Sequence, residues 1–174
     1  MTMWKVFRQL FHAAPQAKSA VCLPPRVVIT ADCIAAIHAY LRPGIRNARE
    51  AVVYLLGRTD GETTLIVAAV RPEAETTRGS FLVGPAAMAR IVRSAANNGL
   101  QVVGQLHTHP GEAYHSDGDE YGARIAYSGY VSIVVPAYGR RLPALDGAAV
   151  FFFRNRLGFL QLDPSRFTIV SART

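Results

Sequence analysis

The chain has 174 residues, half of them apolar, which is enough for one domain with a buried core. No apolar run reaches the roughly 18–20 uncharged residues of a membrane-spanning helix, and Lys5, Arg8 and His12 interrupt the start before the apolar stretch of an export signal can form. The formal net charge of +7 comes almost wholly from arginines dispersed along the chain, a pattern that argues against direct nucleic-acid recognition, while two cysteines, Cys22 and Cys33, are too few for a disulfide framework and point to a reducing, cytoplasmic compartment.

Met3, Trp4, Phe7, Leu10 and Phe11 recur at helical spacing and predict a short amphipathic helix ending before Pro15. Residues 1–25 therefore read as an N-terminal helix and linker, and residues 26–174 as the main domain. The helix is expected to dock on its own domain, with another protein as the alternative.

Val27, Val28 and Ile29 predict a strand, after which Thr30 caps a helix carrying Ile34, Ile37 and Leu41 and closed by Pro43-Gly44. His38 on that helix reads as a packed residue. Ala51 to Leu56 is almost continuously apolar, as in a strand covered on both faces, and Thr64 to Val70 is its hairpin partner across Asp60-Gly61. Glu50 thus stands at the start of a buried strand. Pro85 opens a helix with Met88, Ile91, Val92 and Ala95 turned inward and Gly99 as its stop, and Gln101 to Leu106 forms the next strand. Ser116 begins a further helix, followed by a strand from Val131 to Val135 and a hairpin of Ala148–Phe153 with Leu157–Leu162. Strands and helices alternate in an α+β or mixed α/β pattern without repeats.

His107 and His109 are two apart at the end of a strand, so their side chains point to the same side and both imidazoles can meet one ion. Asp119 follows in the arrangement H-x-H-P-x5-S-x-x-D, and two imidazoles with one carboxylate suit zinc with an open fourth position. Taken alone, Ser116-x-x-Asp119 reads first as a helix capping box, and a lone H-x-H is weak. The combination carries the signal. A hydrolytic metal site also needs a carboxylate to accept a proton from water and pass it to the leaving amine, and Glu50 is the candidate.

Glu50-Ala-Val-Val-Tyr-Leu-Leu-Gly57, together with His107-Thr-His109-Pro, Ser116 and Asp119, resembles the JAMM (MPN-plus, JAB domain) metallopeptidases over residues 27–162. Two departures are visible: Val53 stands where many members have glycine, and the stretch from His109 to Asp119 is one residue shorter than the commonest form. The resemblance implies an MPN/JAB, cytidine-deaminase-like fold with a central mixed sheet flanked by helices. It implies one catalytic Zn2+ on His107, His109 and Asp119, Glu50 as the base, and Ser116 stabilising the oxyanion; should Asp119 not be the ligand, the nearby Asp117 is the fallback. The implied reaction is cleavage of a peptide or isopeptide bond after the C-terminal tail of a ubiquitin-like protein, by deconjugation or precursor processing. Tyr130-Val-Ser-Ile-Val-Val-Pro136 resembles the compact bacterial branch, whose implied partners are activating and conjugating enzymes of the same operon. Loops are short, so no selectivity for chain linkage is expected. Alternatives are a peptidase that processes a sulfur-carrier protein, a non-catalytic MPN scaffold, and a DNA-repair-associated relative that also carries H-x-H-P. His115 is expected to be an exposed loop residue, and Tyr114, Tyr121 and Tyr127 to pack without a role in the site.

Overall fold

The computed structural model describes residues 23–116, 118–119, 125 and 127–171. The expected N-terminal helix, Asp117 and Tyr121 lie outside the described residues, as does most of the helix expected to start at Ser116.

Strand β1 (Arg26–Thr30) leads directly into helix α1 (Ala31–Asn47), where Thr30 Oγ1 accepts the Cys33 N–H at 3.2 Å as the expected cap. The helix does not stop at Pro43-Gly44 but continues to Asn47, with Pro43 inside it. Two non-local contacts support this extra turn. Ile45 packs against the core, and Gly44 approaches the next strand so closely that a Cβ there would lie 2.9 Å from the Ala51 Cβ.

Strands β2 (Val52–Thr59) and β3 (Thr63–Val70) form the expected hairpin, its turn tied by Asp60 Oδ1, which accepts from Glu62 N at 2.9 Å and Thr63 N at 2.7 Å. Gly57 is obligatory at the bulge in this pair, because a side chain there would collide with the Leu65 carbonyl. A small ribbon of β4 (Ala74–Thr76) and β5 (Phe81–Val83) follows; the sequence reading did not anticipate it. Helix α2 (Pro85–Asn97) buries Ala87, Met88, Ile91 and Ala95 on one stripe, whereas Val92, expected inward, flanks that stripe and is 46% exposed.

Next come β6 (Gln101–Thr108), β7 (Val131–Val135), β8 (Ala149–Arg154), β9 (Gly158–Gln161) and β10 (Phe167–Val170). Eight strands make one mixed sheet in the order β10-β1-β3-β2-β6-β7-β8-β9. The pairs β1/β10, β1/β3 and β6/β7 are parallel and the others antiparallel. Alternate residues of β2 serve opposite faces. Val53 and Leu55 pack with Ile34, Ile37 and Leu41 of α1, while Val52, Tyr54 and Leu56 pack with Met88 and Ile91 of α2. The architecture is α+β, a central mixed sheet flanked by helices, as expected. No helix among the described residues is long and apolar enough to cross a membrane.

Candidate metal centre

The two central strands deliver the site. In the antiparallel β2/β6 register Val52 lies opposite His107, and the pairing runs on past the end of β2: Thr108 N–H donates to Ala51 O at 3.0 Å and Ala51 N–H donates to Thr108 Oγ1 at 3.0 Å. Glu50, the residue before Ala51, turns its N–H to Thr77 O at 2.8 Å and lines one cleft with His109. The backbone of His109 is pinned on both sides, its N–H donating to Val135 O at 2.9 Å and its carbonyl accepting from Tyr138 N at 2.7 Å. His107 also has an inner position, flanked by Val52 on β2 and Val134 on β7. The imidazoles therefore stand on rigid, fully paired backbone.

His107, His109 and Asp119 come together, all buried. His107 Nε2 lies 3.2 Å from His109 Nε2, and the Asp119 carboxylate places Oδ1 3.2 Å from His107 Nε2 and Oδ2 3.2 Å from His109 Nε2. Ligand atoms about 2.0–2.1 Å from a tetrahedral ion are about 3.3 Å apart, so the three groups already have the spacing of ligands around one metal. Their N2O composition, with both Nε2 atoms aimed at a common point, fits a divalent ion.

Asp119 is held in place by Ser116, whose N–H donates to Oδ2 at 2.8 Å and whose Oγ donates to the same oxygen at 2.7 Å; Asp119 N–H returns a bond to Ser116 Oγ at 3.2 Å. This is the reciprocal capping-box arrangement, so Ser116 acts structurally on the candidate ligand. Burial opposes the charge on Asp119, but the hydrogen bonds from His107, His109 and the Ser116 N–H outweigh it and hold the carboxyl well below its usual range. Burial lowers His107 and keeps it neutral, the form a metal requires; at His109 burial also acts downward, but the bond to Asp119 and its charge prevail and raise it.

Glu50 is 5% exposed and lines one cleft of about 200 Å3 with His109, Asp119, Ser116, Tyr114 and Phe81. Burial pushes its carboxyl up to about 7, with His109 pulling down and Asp119 pushing up. A carboxyl poised near neutrality in a cleft beside a ligand cluster has the properties of a proton-transfer group.

Two residues by the site differ from what the sequence led us to expect, and a third, Phe81, carried no expectation. Tyr114, expected to pack without a role, stays 58% exposed and sets its ring edge-on to His109 at 4.9 Å, forming a wall of the cleft. Phe81 on the unexpected β5 lies 5.4 Å from the His107 ring. His115 is not an exposed loop residue. It stacks on Phe159 at 4.0 Å and meets Phe151 at 5.4 Å, and burial brings it down to about 4. Tyr127 packs as expected, its hydroxyl bonded to Val102 O at 3.1 Å, and His38 is half-buried on α1, away from the cleft.

A mixed sheet whose inner strand β6 delivers His107 and, one residue past its end, His109, with Asp119 added from the following loop and helical turn and Glu50 in the same cleft, defines a metallohydrolase-like domain. Residues 30–143 match the family described as prokaryotic homologs of the JAB domain, and the chain belongs to that family. It is 30% identical over 118 residues to the probable metalloprotease y4jG of Sinorhizobium fredii, covering 66% of this chain and 73% of that protein. Its fold is similar to the solution structure of protein DSY2949 from Desulfitobacterium hafniense, with a TM-score of 0.63 at 18% identity over 85% of this chain and 94% of the other.

Proposed function

We propose that the protein is a zinc-dependent peptidase that cleaves a peptide or isopeptide bond after the C-terminal tail of a ubiquitin-like protein. The observation that carries the reading is the 3.2 Å spacing of His107, His109 and Asp119 ligand atoms beside a buried Glu50 in one cleft. Zinc bound there would polarise the scissile carbonyl and make a neighbouring water acidic near neutral pH. In its carboxylate form Glu50 takes a proton from water. The water oxygen joins the carbonyl carbon, the C–N bond breaks, and Glu50 returns the proton to the departing nitrogen. To hold the ion, His107 and His109 would offer unprotonated Nε2 atoms, which requires His109 to give up the proton that Asp119 favours, and Asp119 would offer its carboxylate.

Ser116 has a second task in this reading. Its backbone N–H holds Asp119 independently of the hydroxyl, so the hydroxyl is able to turn toward the oxyanion without releasing the ligand. The intact ligand set speaks against a non-catalytic scaffold. Cys33, a free buried thiol, fits a cytoplasmic location. Activating and conjugating enzymes for the same tag are the partners that this reading implies.

The test is incubation of the zinc-loaded protein with bacterial ubiquitin-like proteins, either extended at the C-terminus or conjugated, followed by mass spectrometry. Cleavage directly after the tail supports the reading. Cleavage only within unrelated peptides, or none with zinc bound at one equivalent, overturns it.

A further inference from the structure

The metal cleft is not the larger cavity beside Glu50. A second one, of about 510 Å3, opens between the last turn of α1 and the start of β4, and Glu50 lines both. This volume lies in the roughly 300–1,000 Å3 range of small-ligand sites. Its polar residues are Asn47, Arg49, Arg71, Glu73 and Thr76 in addition to Glu50.

Charge selects the ligand. Arg49 spends one nitrogen, Nη1, on the Thr76 carbonyl at 2.8 Å, which ties the rim to β4 and fixes its guanidinium. Arg71 makes no hydrogen bond or ion pair among the described residues. Of the two carboxyl groups lining the cavity, Glu73 is taken by Arg90 Nη2 at 2.6 Å, and Glu50 stands at the boundary with the metal cleft, which it also lines. Two guanidiniums, each a planar fork of donors, remain around a space the size of a short peptide and suit a carboxylate.

Position selects the part of the substrate. A base that hands its proton to the departing nitrogen must stand on the leaving-group side of the scissile bond. The cavity beyond Glu50 is then the exit for the leaving segment.

We infer that the Arg49–Arg71 cavity binds the free carboxylate of a short leaving segment, so that the protein trims a short C-terminal extension from its substrate. This rests on the peptidase reading and narrows it to precursor processing. Hydrolysis of the one amide bond consumes one water and yields a new C-terminal carboxylate on the trimmed protein and a free amino acid or short peptide. An isopeptide-linked protein would offer this cavity no carboxylate.

The probes are acetyl-Gly-Gly-Gly with a free carboxylate and the same peptide as its C-terminal amide, titrated into the metal-free full chain labelled with 15N. The acid is expected to shift the amide signals of Arg49, Arg71 and Ala74 and to bind about tenfold or more tighter than the amide. Arg71→Ala should remove that preference, and Arg71→Glu should make the acid the weaker ligand. Equal binding of both peptides, or acid binding unchanged in R71A, overturns the proposal. A second arm gives the zinc-loaded chain a ubiquitin-like protein with an extension ending in carboxylate or amide. Arg71-dependent binding without any cleavage leaves the carboxylate site standing and removes the peptidase reading. Equal cleavage of both extensions keeps the peptidase reading and removes the carboxylate site.

Discussion

Ala51 and Thr108 hold each other by two bonds: the Thr108 N–H reaches the Ala51 carbonyl and the Thr108 hydroxyl oxygen takes the Ala51 N–H, both at 3.0 Å. Ala51 follows Glu50, and Thr108 stands between the two histidines, so this clasp sets the distance from the base to the ligands. Thr108→Val keeps the shape but leaves a buried amide without its acceptor, a loss of about 1–3 kcal/mol. The expected result is a lower melting temperature and a fall in kcat larger than any change in KM, with Thr108→Ser close to wild type. Thermal unfolding and steady-state kinetics on the three proteins check it.

Glu50 carries a stability signature that is separate from catalysis. In the metal-free protein, burial raises its folded pKa to about 7, above its unfolded value near 4.3. The folded state therefore holds a proton the unfolded state has lost, and stability declines as pH climbs from about 4.3 to about 7. Glu50→Gln, which stays neutral, should raise the melting temperature of metal-free protein at pH 8 and do so progressively less toward pH 4. The same variant should bind zinc normally yet lose about 10^2–10^4-fold in turnover. A melting curve shift of the same size at both pH values would contradict the first statement, and near-normal turnover the second.

Asp119→Ala removes an oxygen ligand and should lower zinc content and activity together, as read by elemental analysis and turnover. Ser116→Ala tests the two tasks given to that residue. The Ser116 N–H bond to Asp119 survives, so zinc affinity should fall by no more than about 10–100-fold, the usual cost of losing one partner of a ligand. If the hydroxyl also serves the oxyanion, kcat at saturating zinc should fall about 10^2-fold or more. Unchanged kcat at saturating zinc would confine Ser116 to holding Asp119.

Cys33 lies on the buried face of α1, 2% exposed, and burial raises its thiol to about 11. In a Cys22→Ser background, a thiol reagent at pH 8 should leave the native protein unlabelled and react fully after denaturation. Rapid labelling of the native protein would show that α1 opens from the sheet.

The strands and the ligand cluster were legible because their signals are local. Apolar continuity marks Ala51–Leu56, and the two-residue spacing of His107 and His109 needs only an extended backbone to converge. What escaped depends on distant partners. Helix α1 runs through Pro43 because Ile45 finds the core and Gly44 lets the turn approach Ala51, contacts that no local propensity encodes. His115 looks like a loop residue until Phe159, on a strand far downstream, covers it. Strands β4 and β5 have three residues each, too few for any periodicity to register. β10, likewise unanticipated, is only four residues long.

That last strand has a consequence for how the chain acquires its shape. β10 lies beside β1, and Arg166 Nη1 reaches the Pro24 carbonyl at 2.7 Å, so one margin of the sheet joins segments from opposite ends of the described chain. Contacts of such high contact order form slowly, since a long loop must close before they contribute. Residues 50–135, which hold the histidines, the aspartate and the glutamate, close a shorter loop, with Ala51 and Thr108 separated by 57 residues against 142 for Pro24 and Arg166. During synthesis the ion-holding half is therefore ready to assemble while the residues that complete the margin are still in the ribosome.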